Sequence, residues 1–90
     1  MSQTTFWRYS SPGDVTFELR ITDKNRMFLV RLGKDTDLEA NPELLEGSDE
    51  ERIMKGIHRI DEIAANLSSL NEEVGRALKE LSKAREQLWE

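Results

Sequence analysis

Ninety residues, 37% hydrophobic and 34% charged, make up a single soluble domain with little apolar material to spare for a core. Cysteine is absent and there is one histidine, His58, which excludes disulfides, thiolate nucleophiles and cysteine-bound zinc. The net charge of −5 is unevenly spread: residues 1–34 carry six bases against three acids, residues 35–51 eight carboxylates and no base, and residues 52–90 seven of each.

In chain order, Phe6-Trp7-Arg8-Tyr9 reads as a first short strand, ended by the turn signal Ser10-Ser11-Pro12-Gly13-Asp14. Val15 to Thr22 alternates strictly, with Val15, Phe17, Leu19 and Ile21 on one side and Thr16, Glu18, Arg20 and Thr22 on the other. Asp23-Lys24-Asn25-Arg26 has turn chemistry, since Asp and Asn bond to nearby backbone and Asn tolerates left-handed geometry. Met27 to Leu32 follows as another apolar run. A four-residue loop over 23–26 pairs Thr22 with Met27, Ile21 with Phe28, Leu19 with Val30 and Phe17 with Leu32, and sets Glu18 against Arg31. This register turns Met27 and Leu29 outward beside Arg20 and Arg31, with Trp7 or Tyr9 joining them. Those six residues form the expected partner-binding face, apolar with an aromatic anchor.

Residues 35–47 read as an acidic linker. Ser48 opens a helix, because Ser48 with Glu51 three residues on is a capping box. No proline follows, and heptad phase holds through Ile53, Ile60, Leu67, Val74, Leu81 and Leu88 at a and Gly56, Ile63, Leu70, Ala77 and Ala84 at d. Ile57 and Leu78 at e widen the stripe. A continuous helix would be a rod of about 63 Å, far longer than a compact chain of this size. Either it reaches into a second copy, or it folds back as an αα-hairpin turning at 66–69. Preserved phase through the would-be turn favours the uninterrupted helix. Antiparallel pairing about Ser68–Ser69 sets Gly56 against Leu81, Ile53 against Ala84, Ile60 against Ala77 and Ile63 against Val74, so large side chains meet small ones. The expected oligomer interface is therefore Ile53, Ile57, Ile60, Ile63, Leu67, Leu70, Val74, Ala77, Leu78, Leu81, Ala84 and Leu88, in an antiparallel homodimer or a larger bundle.

The fold class is α+β: a small antiparallel sheet of two or three strands over 1–34, the acidic linker, then a heptad helix or helical hairpin over 48–90. Chemistry is sparse. His58 with Asp61 and Glu62 shares a helix face, but no second histidine or cysteine completes a metal site. Carboxylate pairs such as Asp61-Glu62 and Glu72-Glu73 sit on polar surface, where nothing raises a pKa for acid catalysis. No phosphate-cradling, zinc-protease or hydrolase motif occurs. The sequence thus predicts a non-catalytic adaptor or small regulatory protein without cofactor or metal, with a protein partner. No stretch reaches the ~20 apolar residues of a membrane span, so no membrane is expected and the expected compartment is the cytoplasm. Two other readings compete: nucleic-acid binding by a basic ribbon interleaved with Trp7 and Tyr9, and acidic inhibition of a nucleic-acid-binding enzyme through Asp35, Asp37, Glu39, Glu43, Glu46, Asp49, Glu50 and Glu51.

Overall fold

In the computed structural model, residues 3–11, 15–33, 42–65 and 69–88 are described, and their architecture is α+β. Four strands, β1 (Gln3–Ser11), β2 (Val15–Thr22), β3 (Met27–Leu32) and β4 (Glu43–Leu45), form one antiparallel sheet in the order β1-β2-β3-β4. Helix α1 (Asp49–Ile60) runs into a wider π-helical turn, Asp61–Ala65, and α2 (Leu70–Leu88) packs back against both α1 and the sheet. Two strand assignments change. The first strand extends well beyond Phe6–Tyr9, and the acidic linker contributes a fourth strand, because Leu44 and Leu45 alternate onto the two faces of the sheet beside β3.

The β2–β3 hairpin corrects the expected register. Thr22 N–H donates to Arg26 O at 2.9 Å and Asn25 N–H to Thr22 O at 3.0 Å, so the loop is the three residues 23–25 rather than four. Asn25 takes the left-handed conformation this loop demands, with φ at 63°. The Thr22 hydroxyl accepts from Lys24 N–H and Arg26 N–H and tightens the turn. Shortening the loop by one residue slips β3 by one position, and a side-chain period of two inverts its faces. Ile21 now opposes Met27, Leu19 opposes Leu29 and Phe17 opposes Arg31. Met27 and Leu29 therefore enter the core, while Phe28 and Val30 turn to the other side.

The core lies between the sheet and the helix pair. Phe17, Leu19, Ile21, Met27, Leu29 and Leu45 from the sheet meet Ile53, Ile57, Ile60, Ala77, Leu81 and Ala84 from the helices. At about 1.5–3 kcal/mol for each large side chain removed from water, this layer is the main source of stability. Ser48 caps α1 as read: its hydroxyl accepts from Glu51 N–H, and the Glu51 carboxylate accepts from Ser48 N–H, both at 3.3 Å.

The uninterrupted helix is also corrected. The described helical residues form two segments whose apolar stripes close on the sheet, and the radius of gyration is 12.6 Å, that of a folded-back chain. Gly56 does not face Leu81 as the antiparallel pairing requires. It faces the sheet, with the side chains of Leu19 and Leu45 against it. Of the turn expected at 66–69, residues 66–68, Leu67 among them, lie outside the described residues, as do the Leu88 side chain, Trp89 and residues 35–41 of the acidic linker.

Candidate interaction surface

Strand alternation leaves the sheet with a second face, opposite the helices. One row across it runs Thr5, Arg20, Phe28 and Leu44; the next runs Arg8, Glu18 and Val30. The face divides into a polar half on β1 and β2 and an apolar half on β3 and β4. Leu44 is 49% exposed and Phe28 partly exposed, while Val30 is buried.

Glu18 is the centre of the polar half, with its side chain only 3% exposed. Both Nε of Arg8, at 2.8 Å, and Nη2 of Arg8, at 2.6 Å, reach its Oε2. Arg20 donates to Oε1 from Nε at 2.9 Å and Nη2 at 2.7 Å, and Thr5 Oγ1 donates to the same oxygen at 3.1 Å. Burial pushes the Glu18 carboxyl up, but hydrogen bonds from Arg20, Arg8 and Thr5 outweigh it and hold the group below its ordinary value. Its partner in β3 is Val30 in place of the expected Arg31, and its partner in β1 is Arg8; Arg31 instead lies over the ring of Phe17, 6.0 Å from its centroid.

The six residues expected at the partner face are dispersed. Trp7 is 4% exposed and lies under α2, where its indole N–H donates to Glu73 Oε2 at 2.9 Å. Tyr9 stacks beside it on the helix side, the ring centroids 6.3 Å apart. Met27 and Leu29 are core residues, Arg31 is exposed on the helix side of β3, and Arg20 alone of the six reaches the outer face. The signal that could have found Phe28 is the Asn25 turn, since a left-handed Asn as the third loop residue implies the shorter loop and hence the inverted strand.

The residues expected at an oligomer interface are mostly used within the chain. Ile53, Ile57, Ile60, Ala77, Leu81 and Ala84 are buried in its own core, and Leu70, Val74 and Leu78 pack partly buried against it. Ile63 remains 44% exposed. Between the helices Met54, Ile57, His58, Leu70 and Val74 line a shallow cleft of about 350 Å³.

A second polar cluster ties the hairpin tip to both helices. Arg52 Nη1 donates to Asn25 O at 2.8 Å and Arg52 Nη2 to Asp49 Oδ1 at 2.6 Å; Arg85 donates to both oxygens of Asp49 and to Asn25 Oδ1. The Asp49 carboxyl is lowered to about 2, chiefly by the Arg85 hydrogen bonds, against the opposing effect of burial and with help from Arg52. Here the acidic residue opening α1 is a structural clamp. His58 Nε2 lies 3.3 Å from Glu62 Oε1 on exposed surface, and among the described residues no group of three His, Asp or Glu side chains could hold a metal ion. No helix among them is long and apolar enough to cross a membrane. No family model, no curated protein and no solved structure matches the chain.

Proposed function

We propose that this chain is a non-catalytic interaction module that offers the outer face of its sheet to a protein partner. The observation that carries the reading is the division of that face. Phe28 and the half-exposed Leu44 supply an apolar patch, and beside it Arg8, anchored on Glu18 with its side chain 62% exposed, supplies a cationic rim, while the Arg20 side chain lies largely buried behind it. Apolar anchors with an arginine rim are what a protein surface of complementary acidic and apolar character recognises. The arginines are preorganised, so little side-chain entropy is lost when a partner docks.

The nucleic-acid reading loses the two rings it named, because Trp7 and Tyr9 lie on the helix side, away from Arg8 and Arg20, and only Phe28 remains beside the cations. The acidic-inhibitor reading loses part of its charge within the chain: Asp49 is clamped by Arg52 and Arg85, Glu51 caps α1, and Glu43 pairs with Arg59.

The test compares capture of host proteins by the wild-type chain, by Leu44→Glu and by Met54→Glu, each with and without nuclease. A discrete protein retained by wild type and Met54→Glu, lost with Leu44→Glu and insensitive to nuclease is the expected result. Recovery abolished by nuclease, or equal for all three chains, would overturn the reading.

A further inference from the structure

Among the described residues the sheet has two edges of very different character. At one, β4 offers three residues; at the other, β1 offers nine, a span of about 30 Å. An edge strand of that length carries a row of backbone donors and acceptors that can pair with another chain, and proteins usually blunt it with lysine, proline, inward charge, a bulge or a covering helix. Strand β1 contains neither lysine nor proline. Its one charge, Arg8, is drawn across the sheet to Glu18 in β2. The bulge between Thr5 and Trp7 buries Phe6 and Trp7 together and leaves a regular run on each side.

Helix α2 lies along this edge and adds a second complementary feature. A cleft of about 270 Å³ opens between Phe6, Trp7 and Arg8 of the strand and Arg76 and Glu80 of the helix. Arg76 and Glu80 are one helical turn apart with opposite signs; within the chain Arg76 pairs with Glu73, and Glu80 lies 3.6 Å from Lys83. A two-fold axis passing beside them would set each Arg76 against the Glu80 of the other copy, extending these pairs across the contact. A two-fold axis also makes β1 meet its copy antiparallel. Pairing Thr5 with Arg8, Thr4 with Tyr9 and Gln3 with Ser10 keeps outer-face residues opposite outer-face residues and helix-side residues opposite helix-side residues. Ring, hydroxyl and amide side chains meet there without like charges directly opposed.

We propose that the occupant of the β1 edge is a second copy of this chain, forming a homodimer with one continuous eight-stranded sheet and reciprocal Arg76–Glu80 pairs across α2. The dimer places two copies of the Arg8–Glu18–Arg20 and Phe28–Leu44 surface on the same side of one sheet. A target with repeated epitopes would then be held bivalently. This contact is separate from the helix seam and does not rest on the outer-face reading, since self-association is measured without any partner.

Sedimentation equilibrium on the full chain, across a wide concentration range, is the deciding experiment. The expected mass at high concentration is twice the chain mass of 10.4 kDa. Glu80→Arg sets two arginines against two arginines and should raise the dissociation constant roughly tenfold or more, while Arg76→Glu with Glu80→Arg restores it. Circular dichroism confirms that each variant is folded. Hydrogen exchange of β1 amides should slow as concentration rises in wild type and not in Glu80→Arg. Monomeric mass at every concentration overturns the proposal, as does a dimer indifferent to Glu80→Arg, or one abolished by Met54→Glu in the cleft between the helices.

Discussion

Two glycines inside helices make opposite predictions from one substitution. In an exposed helix interior, Gly→Ala gains about 1 kcal/mol through lower unfolded-state entropy and better propensity. Gly75 is such a site, because a methyl group there meets nothing within 4 Å. Gly56 is buried, and its added Cβ would sit 2.7 Å from Leu19 Cδ2 and 3.0 Å from Leu45 Cδ1. Leu19 is fully buried in the sheet and cannot swing away, so α1 must lift or the leucines must leave their rotamers. Overpacking of this kind costs about 1–3 kcal/mol, which exceeds the propensity gain. Gly75→Ala should therefore stabilise by about 1 kcal/mol and Gly56→Ala destabilise by about 1 kcal/mol. Urea titration of both variants under identical conditions reads the difference directly, with midpoints moving in opposite directions at an unchanged slope. Equal stabilisation of the two would refute the close approach of α1 to Leu19 and Leu45.

Other outcomes follow from the same contacts. Because Leu29 lies in the core and Leu44 on the outer face, Leu29→Ala should cost about 2–4 kcal/mol in a urea melt and Leu44→Ala less than about 0.5 kcal/mol; similar losses would reject the hairpin register. Asp49 has a folded-state pKa lowered to about 2 from 3.8, so its stabilising effect is complete above about pH 5 and disappears as pH falls through the folded value. With a side chain 39% exposed, solvent screening reduces the contribution to about 1 kcal/mol. Asp49→Asn should lose that amount at pH 7 and show a shallower acid limb than wild type; parallel limbs would exclude the clamp. Trp7→Phe removes the indole donor to Glu73 and should cost about 1 kcal/mol, measured by thermal unfolding, with the fold retained.

The parts legible in the sequence are those where a residue has one chemical option. Strict alternation placed Phe17, Leu19 and Ile21 on the core side of β2, and the Ser48–Glu51 spacing placed the start of α1. The candidate surface was harder to read because Met27–Leu32 is apolar at every position but Arg31, so either face of β3 could be buried. Its orientation depends on one residue of loop length. Leu44 was hidden in an acidic stretch where three residues give no strand periodicity, and β4 exists through pairing with β3.

Local patterns follow directly from the order of residues: a sheet-forming first half, a helical second half with an apolar stripe, and the capping residues that open α1. Those depend on neighbours within a few positions, where periodicity and side-chain chemistry act directly. What the stripe buries against, and which face of β3 looks outward, depend on contacts between distant segments. A heptad stripe satisfies a second helix, a second chain or a sheet equally well, since apolar burial is non-directional. Here the sheet's core face, with Leu19 and Leu45 closing on Gly56, covers the helices within one chain and leaves Phe28, Leu44 and the arginine pair on the other side.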